Sequence, residues 1–136
     1  MAHKIRIQTN AASPALGTYS QAIRTGELVF VTGQTGRDLE TGKLAEGLED
    51  QTRCVFANID AILNAAGCSN ADIVKVTLLL ADITDFKAVD QMYAAWLPGH
   101  GVVPAKPART AFQAGGLPAG ALLMLDVVAA CPDAGS

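Results

Sequence analysis

The stretch Ile73-Val74-Lys75-Val76-Thr77-Leu78-Leu79-Leu80 decides the fold, with a second of the same kind, Ala121-Leu122-Leu123-Met124-Leu125-Asp126-Val127-Val128-Ala129-Ala130. Both are apolar at nearly every position instead of alternating, which is how strands covered on both faces read. Working outward, Ile5 and Ile7 alternate with Lys4 and Arg6, and Leu28 to Thr32 is a compact apolar strand ended by Gly33. A shorter strand is expected over Arg109 to Gln113. Helical periodicity occurs twice. From Gly47 to Ala66 the residues Leu48, Val55, Phe56, Ile59, Ile62 and Leu63 recur at helical spacing, and Gly67 supplies the stop. A second helix, capped by Thr84 or Asp85, carries Phe86, Val89, Tyr93, Trp96 and Leu97 on one face and ends at Pro98-Gly99. Two helices can cover only one face of such a sheet. The order strand, strand, helix, strand, helix, strand, strand therefore predicts an α+β layer with both helices on one face. The other face needs a partner, and another copy of the chain is the simplest one.

The 136 residues fit one domain, 1–136, with a frayed tail expected over 132–136. Half the chain is apolar and 17% is charged, which excludes disorder and fits a buried face beyond the monomer core. A formal net charge of −3 and 5% aromatic residues argue against nucleic-acid binding, which needs a basic footprint and stacking platforms. Cys54, Cys68 and Cys131 are odd in number and far apart, so a reducing cytoplasm is expected instead of a disulfide framework. Neither a membrane span nor a signal peptide is expected.

With only His3 and His100, both expected on the surface, the chain has too little imidazole for a catalytic triad or a zinc site. No phosphate-binding or dinucleotide-binding glycine motif is present in the sequence. Chemistry here must rest on a positioned cation, backbone amides, a hydroxyl or a carboxylate, and water. In Pro104-Ala105-Lys106-Pro107-Ala108-Arg109-Thr110 the two prolines stiffen the entry to a strand and present Arg109 at its first position. There Arg109 is either a fork for a planar carboxylate or a member of an ordinary ion pair. In Gly17-Thr18-Tyr19-Ser20-Gln21, Tyr19 is either a hydroxyl donor or a packing residue with a wet tip. In Val31-Thr32-Gly33-Gln34 the glycine marks either a close approach of backbone to ligand or a bulge.

Taken in order, Gly17-x-Tyr19-Ser20-Gln21-Ala22, Thr32-Gly33-Gln34, Asp72-Ile73-Val74-Lys75-Val76-Thr77-Leu78, Asp85-Phe86 and Pro107-Ala108-Arg109-Thr110 with the closing strand resemble the RidA (YjgF-type) family across the whole chain. The resemblance implies a chorismate-mutase-like α+β fold, a homotrimer with sites in clefts between subunits, and no metal or organic cofactor. It also implies hydrolysis of small carboxylated enamines or imines, such as 2-aminoacrylate and 2-iminopropionate, to the keto acid and ammonia. By resemblance Arg109 holds the substrate carboxylate, the Gly33 backbone binds the same end, Thr32 stands where the family often has serine, and Tyr19 lines the cleft. Three positions depart from the pattern: Ala111 replaces a cysteine, Asp90 an asparagine, and Met124 the glutamate that orients the attacking water. A thioether accepts no proton at neutral pH. Asp126, on the same strand face as Met124 and about 7 Å along, is a substitute base or else a structural hydrogen-bonding group. The expected function is a RidA-like deaminase; the alternative is a trimeric small-carboxylate binding protein without catalysis. The acidic charge gives no support to ribonuclease activity.

Overall fold

The computed structural model describes residues 3–98 and 106–132; most of the expected tail, together with His100 and Pro104, lies outside them. The sheet has six strands: β1 (Ile5–Ile7), β2 (Ala22–Thr25), β3 (Leu28–Thr35), β4 (Ile73–Leu80), β5 (Ala108–Gln113) and β6 (Leu123–Ala130). Their order is β1-β2-β3-β6-β4-β5, antiparallel throughout except for β4 beside β5. That parallel pair needs a crossover, and α2 (Phe86–Trp96) supplies it. The longer helix, α1 (Gly47–Ala65), packs on β3 and β6.

The core lies between the helices and one face of the sheet. Val55, Ile59, Ile62 and Leu63 of α1 meet Val29, Val76, Leu78, Leu80, Leu123, Leu125 and Val127, all sealed from solvent. Each such side chain contributes about 1.5–3 kcal/mol relative to exposure. Gly67, at φ +80°, ends α1 in a left-handed turn in which the Gly67 amide donates to Asn64 O and the Cys68 amide to Leu63 O. The opposite face of the sheet is bare. Leu28, Phe30 and Phe112 are exposed there, and Leu79, Met124 and Val128 only half-buried. Among the described residues, the continuous apolar strands are thus covered on one face alone.

Several expectations are corrected. The strand β2 was not anticipated, because it is four residues long and carries a charge, Arg24, that is 95% buried (5% exposed). Its guanidinium donates to the carbonyls of Gly26, Ala66 and Cys131. The strand expected to stop at Gly33 runs on to Thr35, because a β-bulge between Val31 and Gln34 absorbs Thr32 and Gly33. The chain enters α2 through a short 3₁₀ turn whose cap is Asp82, accepting from the Thr84 amide, so neither Thr84 nor Asp85 caps it by side chain. The closing strand starts at Leu123, two residues later than expected, after a 3₁₀ turn over Pro118–Gly120. The cysteines are not all free: Cys68 and Cys131 form a disulfide with Cα atoms 6.0 Å apart, leaving Cys54 alone. The turn after α1 and the end of β6 bring together sulfurs 63 residues apart in sequence.

Candidate functional site

Arg109 is the second residue of β5, not the first, and pairs in register with Val76. Val76 faces the helices, so Arg109 emerges on the same side, under α2. Phe86, Asp90 and Tyr93 are spaced i, i+4 and i+7 and form one stripe along that helix. The stripe holds the arginine: its Cζ lies 5.1 Å from the Phe86 ring centre and 5.0 Å from that of Tyr93. Arg109 Nη1 donates to Asp90 Oδ1 at 2.6 Å, with the two side chains 26% and 42% exposed. Together with Asn70, Tyr93, Leu97 and Lys106 they line a cleft of about 570 Å³. The Tyr93 hydroxyl beside it is buried without a hydrogen-bond partner among the described residues. Burial holds that phenol above its ordinary pKa, opposed by the Arg109 charge. Ala111 follows Arg109 by one strand repeat and offers this side of β5 no polar group.

A second cleft forms at the other end of the sheet. The loop before β2 is tied down by the buried Gln21 side chain, which accepts from Thr9 N at 2.8 Å and donates to Thr9 O at 3.1 Å and Ser13 O at 2.8 Å. Thr32 N donates to Gln21 O at 2.9 Å, which fastens the bulge to that loop. Tyr19, 52% exposed, accepts from Leu16 N at 3.3 Å. Tyr19 and Gly33 share a cavity of about 100 Å³ with Arg37, Gln34 and Pro118. A Cβ on Gly33 would lie 2.6 Å from Met124 Sδ on the bare face, so a side chain there requires the methionine to move.

Asp126 lies on the bare face too, across from Thr77 on β4 and, on β3, from the bulge at Thr32–Gly33. Burial raises its pKa above the ordinary aspartate value, while the Thr77 hydroxyl and the Lys75 charge oppose that rise. Lys75 Nζ in turn donates to Thr110 Oγ1 at 2.7 Å.

The chain therefore brings Arg109 together with Asp90, Tyr19 with Gly33, and Asp126 with the register of Thr32 and Gly33. It does not bring the two groups together. Gly33 and Arg109 are three strand positions apart, about 14 Å, and on opposite faces. The sequence placed Phe86 and Tyr93 on one apolar helix face, and Tyr93 is indeed in the core with Phe86 packed against it; what it missed is that both rings also flank Arg109, for which the signal was their spacing around Asp90. Among the described residues, the one cluster of three metal-ligating side chains is Cys68, Asp72 and Cys131. Its sulfurs are bonded to each other and the Arg24 guanidinium stands beside them, a poor fit to a cation.

A helix-backed mixed sheet with an arginine cleft at one edge and a glycine bulge near the other defines a small α+β protein of the RidA type. The family model described as Endoribonuclease L-PSP matches residues 9–131, and the chain belongs to that family, which includes the YjgF and RidA proteins. It is 41% identical over 124 residues to Reactive Intermediate Deaminase A, chloroplastic, of Arabidopsis thaliana, covering 90% of this chain and 64% of that longer protein. It is 37% identical to the 2-iminobutanoate/2-iminopropanoate deaminase of Rattus norvegicus, covering 90% and 87% of the two chains. The crystal structure of RidA from the Antarctic bacterium Psychrobacter sp. superposes with a TM-score of 0.86 at 40% identity, over 93% and 98% of the chains. That of E. coli TdcF with bound serine does so with 0.85 at 30%, again over 93% and 98%.

Proposed function

We propose that the chain, one domain spanning residues 1–136, hydrolyses the enamine or imine of a small carboxylate to a 2-keto acid and ammonia. It works as a homotrimer without metal or organic cofactor. Each cleft draws Arg109 and Asp90 from one copy and Tyr19, Thr32, Gly33 and Met124 from its neighbour. The observation that carries this reading is Arg109. It is an arginine cradled by two rings, tied by a single hydrogen bond, and lining a cleft. The deaminase names of the relatives and the serine bound to TdcF, a small carboxylate carrying nitrogen, support the same chemistry.

The demands on such a site are modest. An imine carbon is already electrophilic, so the protein must hold the carboxylate, exclude competing geometries and position one water. Arg109 does the first, in bidentate fashion and at any working pH. Tyr19 supplies a hydroxyl. Asp126, its pKa raised by burial, is the carboxylate available on the Met124 strand to take a proton. Ala111 and Met124 make the cleft more apolar than in the family pattern, which suits a substrate larger than 2-aminoacrylate. One observation favours the second reading, a trimer that binds a small acid without turning it over: the Met124 sulfur fills the space in front of Gly33 where a water-orienting glutamate is expected.

An amino-acid oxidase supplying imines, with their decay followed in the presence and absence of the protein, separates the two. Acceleration that Arg109→Ala abolishes supports the deaminase. Solvent-rate decay for a panel of amino acids, with a carboxylate still raising the melting temperature of the native protein and not of Arg109→Ala, supports the binder.

A further inference from the structure

Asp90 contacts Arg109 through one oxygen and one nitrogen only, Oδ1 and Nη1. Asp90 Oδ2 and the Nε and Nη2 edge of Arg109 make no hydrogen bond among the described residues, and both side chains line the same cleft. An exposed pair of this kind adds little to stability, about 0–1 kcal/mol. Its effect is on what binds. A lone arginine attracts any monocarboxylate, but here the acceptor is already neutralised. Within the pair itself a simple monoanion would leave one uncompensated negative charge, whereas a zwitterion would leave none; the exposed Lys106 that also lines the cleft is screened by solvent. The other charged or titratable groups lining the cleft are Lys106, which is exposed, and Tyr93.

We propose that Asp90 and Arg109 act together as a zwitterion filter that takes the N-protonated form of an α-imino acid, the carboxylate on the free edge of Arg109 and the iminium NH₂ on Asp90 Oδ2. The inference rests on the deaminase reading and names the species that reading consumes. The two substrate groups stand on adjacent carbon centres, and the two protein groups face each other at 2.6 Å, so both contacts are made side by side. Holding the proton on nitrogen keeps the carbon in its more electrophilic state. Water then adds to C2, the C–N bond breaks with its electron pair going to nitrogen, and the iminium zwitterion plus H₂O becomes the keto acid plus NH₄⁺, with no external oxidant or reductant. An asparagine at this position could accept a hydrogen bond but could not balance the charge, so the departure at Asp90 is what confers the selection.

The probes are 2-aminoisobutyrate and isobutyrate, which differ only by an ammonium group in place of hydrogen; the former, lacking an α-hydrogen, is not oxidised. Calorimetric titration of the assembled protein is expected to show at least tenfold tighter binding of 2-aminoisobutyrate. Asp90→Asn should erase that preference or reverse it, Asp90→Glu should retain part of it, and Arg109→Ala should bind neither probe. A residue that merely positioned Arg109 would weaken both probes equally on substitution, so the ratio is the diagnostic. Imine decay is measured in parallel. Selection without acceleration overturns the deaminase reading alone. Acceleration with equal binding of the two probes, or a preference that survives in Asp90→Asn, overturns the filter alone. The absence of both overturns both.

Discussion

Gly33 and Gly36 lack side chains for reasons that differ in cost. A Cβ on Gly33 would meet the far end of Met124, Sδ at 2.6 Å and Cγ at 3.0 Å, and a methionine can swing aside. A Cβ on Gly36 would lie 2.5 Å from Cα of Gln51 in the backbone of α1, which cannot move alone. Gly33→Ala is therefore expected to cost less than about 1 kcal/mol and Gly36→Ala about 3 kcal/mol, the upper end for overpacking. Urea unfolding of the two variants checks this; equal losses would refute it. Asp126 gives a pH test. Burial raises its folded pKa, so the folded chain holds that proton more tightly than the unfolded chain does. The resulting stability is complete below the unfolded value of about 3.9 and is lost as pH rises through the folded one. Relative to native protein, Asp126→Asn should gain in denaturation midpoint as pH rises above about 4. A pH-independent difference would show that Asp126 does not titrate as described. At this scale the sequence was half legible. Proline spacing marked Arg109, and the lone charge in β6 marked Asp126, but the ring cradle and the partner of Arg109 arise only once β5 lies under α2, across a long sequence separation.

Elements longer than seven residues were readable because their apolar pattern is set by the core they face, as in β4 and α1. The four-residue β2 was not, since a buried arginine satisfied by carbonyls leaves no apolar signature. The disulfide was hidden for the same kind of reason: it joins the turn after α1 to the residue after β6, elements adjacent only in space. Closing a loop of 63 residues stabilises the chain by roughly 4 kcal/mol on the chain-entropy account. Reduction, or Cys131→Ser, should lower unfolding free energy by an amount of that order, read as the urea midpoint with and without dithiothreitol. Indifference to reductant would show that the bond does not form in solution.

For the whole molecule, the apolar run of β4 and β6 is explained only if something covers Phe30, Leu79, Met124 and Val128. The uncovered face was legible from strands that failed to alternate; another copy of the chain was the simplest cover to expect, but the period of one chain does not distinguish one partner from another. Phe30→Asp, at a site 44% exposed in the single chain, should leave the fold intact, yield monomers by sedimentation and lose imine hydrolysis altogether. An active monomer would refute both the homotrimer and the shared cleft. The sheet order carries one more consequence. With β4 on one side and, among the described residues, no strand on the other, β5 is an edge, whereas β6 is laddered on both sides by β3 and β4. Amide hydrogens of β5 should therefore exchange with solvent through local opening well before those of β6. A ligand gripped by Arg109 must then hold that strand shut, so occupancy of the cleft can be timed as deuterium uptake along Ala108–Gln113.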